Sequence, residues 1–145
     1  WQGNPLPFVP YDGIEAEFAK YGTGGKPDLR RAHSDGRRKH PQSVEPARIA
    51  VERFAGRLLV AGGGKDSVWP SYEMALAIAE RRRAAGLPVV LVNEADAGHA
   101  LAGPGTEPVQ SMVAAGGKPE AIARARLATW GATVQIFKSS LQEAE

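Results

Sequence analysis

Two short apolar segments enclose a helical pattern in the middle of the chain. The segments are Arg57–Gly63 and Pro88–Asn93, and because neither alternates apolar with polar residues, each predicts a strand buried on both faces. Between them, residues 71–85 place apolar side chains at helical spacing, and Gly86 follows as a helix stop. A strand, a helix and a second strand in this order predict a right-handed βαβ unit with parallel strands.

This unit is preceded by a weakly patterned segment and followed by a long helix. Pro119 favours a helix start, and the apolar face beyond it is expected to pack on a large surface: Ala123, Leu127, Trp130, Val134 and Phe137. A short helix is expected within residues 12–21, whereas residues 21–43, rich in glycine, proline and charge, predict loop or poor order. The predicted organisation is a loop-rich, cap-like or poorly ordered segment over 1–43 and a βαβα portion over 44–145.

Length and composition narrow the class of protein. The chain has 145 residues, the size of one domain, and contains neither a membrane-spanning apolar run nor the apolar core of a signal peptide. The absence of cysteine excludes a disulfide framework and a cysteine-based metal site. The first residue is Trp1 rather than methionine, which leaves open a processed or missing start. We expect a cytoplasmic protein with no metal and no organic cofactor.

Positive charge is concentrated in one part of the chain. Residues 20–48 hold 8 basic and 3 acidic residues, although the net charge of the whole chain is only +2. The basic side chains lie among glycine, proline, serine and aspartate, with no aromatic residue between Tyr21 and Phe54. This pattern favours a solvated surface loop over a nucleic-acid site, since the latter usually places such charges on a helix face or between aromatics. A basic nucleic-acid-binding fragment remains a less favoured alternative.

Candidate chemistry follows each predicted strand. Asp66 comes three residues after the first strand and His99 six residues after the second. Because the carboxyl ends of neighbouring parallel strands meet at one edge of a sheet, the two side chains can reach hydrogen-bonding distance. A carboxylate bound to one ring nitrogen leaves the other free to act as a general base, and the order Asp then His is that of α/β-hydrolases. The alternative is structural: Asp66, or Ser67 or Ser71, caps the next helix.

Other motifs are weaker. Gly62-Gly-Gly-Lys65 follows a strand, but Leu59 stands where the Walker pattern requires its first glycine, and Asp66 stands where it requires Ser or Thr. His33 and His40 have only Asp35 near them in the sequence, which is no convincing ligand set for a metal.

The order and spacing of many short motifs resemble the C-terminal region of the acyl-CoA thioesterase and bile acid-CoA:amino acid N-acyltransferase family. The motifs are Trp1-Gln-Gly-Asn-Pro-Leu-Pro-Phe8, Val51-Glu-Arg-Phe-Ala-Gly56, Gly63-Gly-Lys-Asp66, Val68-Trp-Pro-Ser71, Met74-Ala75, Gly98-His99, Gly103-Pro-Gly105, Gly116-Gly-Lys-Pro-Glu120 and the last helix with Trp130. The resemblance implies an α/β class protein, the C-terminal part of an α/β-hydrolase fold. It also implies that Asp66 is similar to the triad acid and His99 to the triad base, with Trp69 packing beside the Asp loop.

The sequence departs from the family pattern at the nucleophile. No G-x-[SC]-x-G motif and no cysteine are present, and residues 21–43 are more polar and basic than is usual for the family. The resemblance therefore implies the C-terminal portion of a serine-hydrolase-type acyl-CoA thioester hydrolase or acyltransferase, inactive alone and partnered by an N-terminal hydrolase segment or another chain. Two visible strands make an incomplete sheet, unless residues 1–43 supply more. A non-catalytic binding module, or truncated pseudoenzyme, is the alternative from another class.

Overall fold

The computed structural model describes residues 3, 5–107 and 115–142. In chain order the elements are α1 (Ile14–Phe18), a 3₁₀ turn (Ala19–Thr23), α2 (Arg30–Lys39), α3 (Pro41–Val44), a second 3₁₀ turn (Val51–Arg53), β1 (Leu59–Gly63), α4 (Ser71–Ala84), β2 (Val90–Glu94) and α5 (Pro119–Gln142). None of the helices within these described ranges has the length and apolar character that crossing a bilayer requires.

The predicted βαβ unit is present with parallel strands. β1 pairs with β2 in a register that runs from Leu59 opposite Val90 to Gly63 opposite Glu94, so both strands end at the same edge of the sheet. Helix α4 connects them and ends at Ala84, with Glu73 in its first turn and three arginines in its last turn, as the helix dipole favours. Mixed helix and strand content around a small parallel sheet is compatible with a partial α/β fold.

The strands are less buried than the sequence predicted. Only Gly62 and Gly63 of β1 are buried, the other strand residues are partly buried, and Val90 is exposed. The prediction of strands buried on both faces was therefore wrong for the described residues, which cover their two-stranded sheet only in part. Nor do residues 5–43 supply an additional strand, so the rival expectation fails for the described part of the N-terminal segment.

Helix α5 buries a different face from the predicted one. Its buried residues are Ala121, Ile122, Ala125, Arg126 and Thr129. Of these, Ala121, Ile122 and Ala125 pack with Ala97 and Leu101 of the loop after β2 to form the hydrophobic core cluster of the described residues. Three members of the predicted face are exposed instead: Leu127, Trp130 and Phe137. The alanines allow α5 to approach the loop closely, and an exposed apolar stripe is left on its other side.

The segment from 21 to 43 is not the predicted loop. Residues 30–39 form helix α2, and residues 41–44 form α3. Gly36 lies inside α2, where it packs against Pro10. A Cβ at this position would stand 1.9 Å from the carbonyl oxygen of Pro10, so a larger residue does not fit there. Arg38 and Lys39 pair with Asp35 and Asp12, at 3.0 and 2.7 Å. The exposed basic side chains are thus solvated, as predicted, but they belong to a helix that packs on the irregular segment around Pro10.

Candidate active site

The structure brings Asp66 and His99 together at the carboxyl edge of the sheet. Asp66 Oδ2 lies 3.1 Å from His99 Nδ1. The two residues stand on loops that leave β1 and β2 side by side, so the parallel pairing of the strands fixes their meeting. The sequence-based expectation that these side chains reach each other is therefore met in the geometry.

Asp66 is buried and ionised in this position. Its residue is only 2% exposed, and Oδ1 accepts backbone hydrogen bonds from Val68 at 2.8 Å and Trp69 at 3.3 Å. Burial opposes the charge, but the hydrogen bonds from His99, Ser71 and Val68 outweigh it, and together they lower the pKa of Asp66. No side chain caps α4, so the alternative role of Asp66 as a helix cap does not hold.

His99 is the exposed member of the pair. Its side chain is 28% exposed, and its backbone N–H donates to Ala115 O at 2.7 Å. The indole of Trp69 meets the imidazole edge-on, with ring centroids 5.1 Å apart. The ring is therefore held from one side by Trp69 and at Nδ1 by Asp66, while Nε2 is the nitrogen left for chemistry. Trp69 packs beside the Asp loop, as the resemblance implied.

Glycines permit the close packing of the loops around this pair. A Cβ on Gly98 would stand 2.0 Å from Gly116 O, and a Cβ on Gly63 would stand 2.3 Å from Gly98 O. Ser67 N–H and His99 N–H both donate to Ala115 O, at 3.4 and 2.7 Å. The three loops are thus stacked backbone against backbone. The Gly-rich motif after β1 therefore serves packing at this seam, as its poor fit to a phosphate loop suggested.

The N-terminal segment also holds the Asp loop. Arg30 donates to the carbonyl oxygens of Asp66 at 3.1 Å and Gly64 at 3.3 Å, and its other terminal nitrogen pairs with Glu73 at 3.0 Å. The Leu29 N–H donates to Ser67 O at 2.8 Å. This role could not be predicted from the sequence, because Arg30 is one of many arginines in a polar stretch and its partners lie more than thirty positions away.

Ser71, the first residue of α4, lies beside the end of β1 and the Asp66 carboxylate. Its Oγ accepts a hydrogen bond from Gly63 N–H at 3.0 Å, and its hydroxyl contributes to the lowered pKa of Asp66. This hydroxyl therefore faces the acid of the pair. A shallow cavity of about 280 Å³ opens beside the pair and is lined by Ala61, Asp66, Trp69, Ser71, His99, Ala100, Leu101 and Ala102.

The remaining histidines do not form a metal centre. His33 packs edge-on against Tyr11 and Trp69, with ring centroids 5.4 and 6.3 Å apart, and burial lowers its pKa. Across the ranges that the structure describes, no cluster of three His, Asp or Glu side chains could hold a metal ion.

Comparison with known proteins assigns the chain to a family. The family model described as BAAT / acyl-CoA thioester hydrolase C terminal matches residues 23–143. A search of the curated proteins found no match. The family match covers most of the chain, including both loops of the Asp66–His99 pair, and confirms the resemblance seen in the sequence. The chain therefore belongs to the BAAT / acyl-CoA thioester hydrolase C-terminal family.

Proposed function

We propose that this chain supplies the acid and the base of a catalytic triad that transfers acyl groups from thioesters or esters. The observation that carries the proposal is the 3.1 Å contact between a buried carboxylate and a partly exposed imidazole at the ends of two parallel strands. Membership of a thioester-acting family gives the substrate class, an acyl-CoA thioester or a related ester.

The chemistry assigns one role to each residue. His99 Nε2 takes the proton from a nucleophilic serine hydroxyl, and the serine oxygen attacks the carbonyl carbon of the thioester. The protonated imidazole is stabilised by the Asp66 carboxylate at Nδ1, and it returns its proton to the departing thiolate. His99 then takes a proton from water or an amine as this nucleophile attacks the acyl carbonyl, and it passes that proton to the serine oxygen as the acyl–serine bond breaks. Asp66 stays ionised throughout, which fits its lowered pKa.

The nucleophile is proposed to come from outside these 145 residues. The sequence has no G-x-[SC]-x-G elbow, and the Ser71 hydroxyl is engaged with Gly63 and Asp66. A preceding segment of the same polypeptide or a second chain would bring the serine to the cavity beside His99. The chain by itself is then expected to be inactive.

Two unpartnered surfaces support a larger assembly. Among the described residues the sheet has only two strands, so each strand has a neighbouring strand on one side alone, and the α5 stripe of Leu127, Trp130 and Phe137 is exposed. Open sheet edges and apolar stripes of this kind are normally covered in native proteins. The remaining strands and helices of a hydrolase domain would cover both.

The rival function is a binding module on the same scaffold. The absence of a nucleophile elbow favours it, since an Asp–His pair without a nucleophile performs no acyl transfer. The two functions differ in one observable, the formation of a covalent acyl-enzyme by the protein that carries this chain.

The test begins with the intact mass of the native protein and its labelling by a fluorophosphonate probe. We expect a larger parent, or a co-purifying chain, to label at a serine. His99→Ala should abolish labelling, and Asp66→Asn should slow it by up to about 10⁴-fold, because the imidazole loses its orienting carboxylate. His40→Ala is the matched control, since only the backbone of His40 makes hydrogen bonds within the described residues.

Two results would decide against the proposal. A lone, folded 145-residue species that never labels, with serine or thiol probes, would leave the binding module standing. If His99→Ala labels as well as the control His40→Ala, His99 is not the base and the proposal fails.

A further inference from the structure

Arg126 is a buried arginine whose hydrogen bonds go to the loop that follows His99. Its residue is 3% exposed, although it does not belong to the predicted apolar face of α5. The guanidinium donates to four carbonyl oxygens of one loop, with these distances: Ala100 at 2.8 Å, Ala102 at 2.5 Å, Pro104 at 2.9 Å and Gly105 at 3.3 Å. The planar fork of an arginine suits such multiple carbonyl contacts better than any other side chain.

The loop that Arg126 binds has an unfavourable backbone conformation at its first residue. Ala100 directly follows His99 and has a φ of 66°, the single positive value among the described non-glycine residues. An L-residue with a Cβ seldom adopts this region, so contacts from elsewhere must maintain it. The carbonyl of Ala100 is itself one of the four that Arg126 binds.

Burying a cation is costly unless hydrogen bonds satisfy it, and here the four loop carbonyls are the groups that satisfy the guanidinium. The exit direction of the chain from His99 sets where the imidazole points, and Trp69 constrains the ring on one side only. The backbone N–H of His99 is fixed on Ala115, while the backbone after it is fixed by Arg126.

We propose that Arg126 is a positioning residue for His99. By binding the carbonyls of residues 100–105 it holds Ala100 in its left-handed conformation, and this directs Nδ1 of His99 to Asp66 and Nε2 to the cavity. The inference rests on the proposed function for its catalytic consequence, but its structural content is independent: the His99–Asp66 hydrogen bond requires Arg126.

A second buried arginine provides a matched control. Arg82 is 0% exposed, and its guanidinium also binds backbone carbonyls, those of Val51, Phe54, Gly56 and Pro88. These partners lie before β1 and β2, at the edge of the sheet opposite the Asp66–His99 pair. Substitution of Arg82 removes the same kind of interaction from the same fold without touching the loop after His99.

The experiment compares Arg126→Met, Arg126→Lys and Arg82→Met in the full protein that carries this chain. One readout is the NMR signal of the His99 Nδ1 proton and the ring nitrogens as a function of pH, which requires no catalysis. The other is the pH profile of kcat and KM for acyl transfer. Each variant is measured at a temperature where its folded fraction matches that of the wild type.

We expect Arg126→Met to lose the Nδ1 proton signal and to lower kcat by about 10²-fold with little change in KM. Arg126→Lys should give an intermediate loss, since a single ammonium cannot span four carbonyls. Arg82→Met should be less stable than wild type but keep the His99 signal and the pH profile.

Three outcomes separate the possibilities. If Arg126→Met keeps the His99 signal and pH profile, like Arg82→Met, the positioning role is refuted. If Arg126→Met does not fold, Arg126→Lys decides, and wild-type behaviour of the lysine variant refutes the role. If the wild type transfers no acyl group while its His99 signal depends on Arg126, the proposed function fails and the positioning role stands.

Discussion

Replacing Gly98 by alanine tests how closely the loops must approach to join Asp66 with His99. The added Cβ would lie 2.0 Å from Gly116 O and 2.4 Å from Ala115 O. Real Cβ atoms essentially never come within 3.0 Å of another heavy atom, and both obstacles are backbone, which cannot rotate away. The loop that carries His99 must therefore move by about 1 Å from the segment at residues 115–116.

This displacement sets the expected magnitudes. Ala115 O accepts from both Ser67 N–H and His99 N–H, so a shift of about 1 Å breaks the tie between the Asp loop and the His loop. Overpacking of this kind costs about 1–3 kcal/mol of stability. The contact of 3.1 Å between His99 and Asp66 is lengthened beyond hydrogen-bonding range, and a misplacement of this size lowers the rate by about 10²-fold.

Gly131→Ala is the matched control, because the chemical change is identical and its surroundings are open. No heavy atom lies within 4 Å of a Cβ at Gly131, and this residue lies inside α5. Alanine there should stabilise the protein by up to about 1 kcal/mol through helix propensity. Urea denaturation followed by circular dichroism measures both variants, and serine-probe labelling of the native protein measures the rate. A Gly98→Ala variant as stable and as reactive as Gly131→Ala would refute the packing argument.

Three further predictions concern pH and the N-terminal segment. Burial opposes ionisation of Asp66, but hydrogen bonds outweigh it and lower the pKa of Asp66 below 3.8. The carboxylate therefore stabilises the folded state above pH 3.8, and this contribution is lost as the pH falls through the lower pKa of the folded state. Asp66→Asn should reduce the loss of unfolding free energy below pH 3.8, as measured by urea midpoints. Burial lowers the pKa of His33 below 6.5, so unfolding takes up a proton and the free energy of unfolding declines as the pH falls below 6.5. His33→Phe should remove this decline, and an unchanged slope of unfolding free energy against pH would contradict the prediction. Gly36→Ala should destabilise the protein despite better helix propensity, because its Cβ would meet Pro10 O at 1.9 Å; a higher melting temperature would disprove this contact.

Local sequence patterns are sufficient to predict both the βαβ unit and the contact between Asp66 and His99. Strand and helix signals in residues 57–94 are local, and the positions of the two polar residues follow from where those strands end. Parallel pairing then brings the residues together without any detailed knowledge of packing.

Features that depend on distant contacts could not be predicted. Helix α2 contains Gly36 and many charges, and the contacts that favour it are made by Pro10 and Ser67, which are remote in the chain. On α5, Arg126 counts as a polar residue in any amphipathic pattern, yet four carbonyls satisfy it in the interior. The apolar pattern therefore predicts that the stripe with Leu127 is buried, whereas the small alanines beside Arg126 are the buried residues.

The glycine seam, where the loops meet at Gly63, Gly98 and Gly116, tolerates no added side chain, whereas the walls of the neighbouring cavity do. At Gly63, Gly98 and Gly116 any side chain would strike backbone, so substitution there separates the acid from the base whatever its chemistry. The walls of the neighbouring cavity include Ala61, Leu101 and Ala102, whose side chains can be exchanged for larger or smaller ones without touching the seam. Under the proposed function, such a chain can alter the shape of the substrate that it accepts while Asp66 and His99 stay in place, an arrangement that lets related proteins differ in substrate.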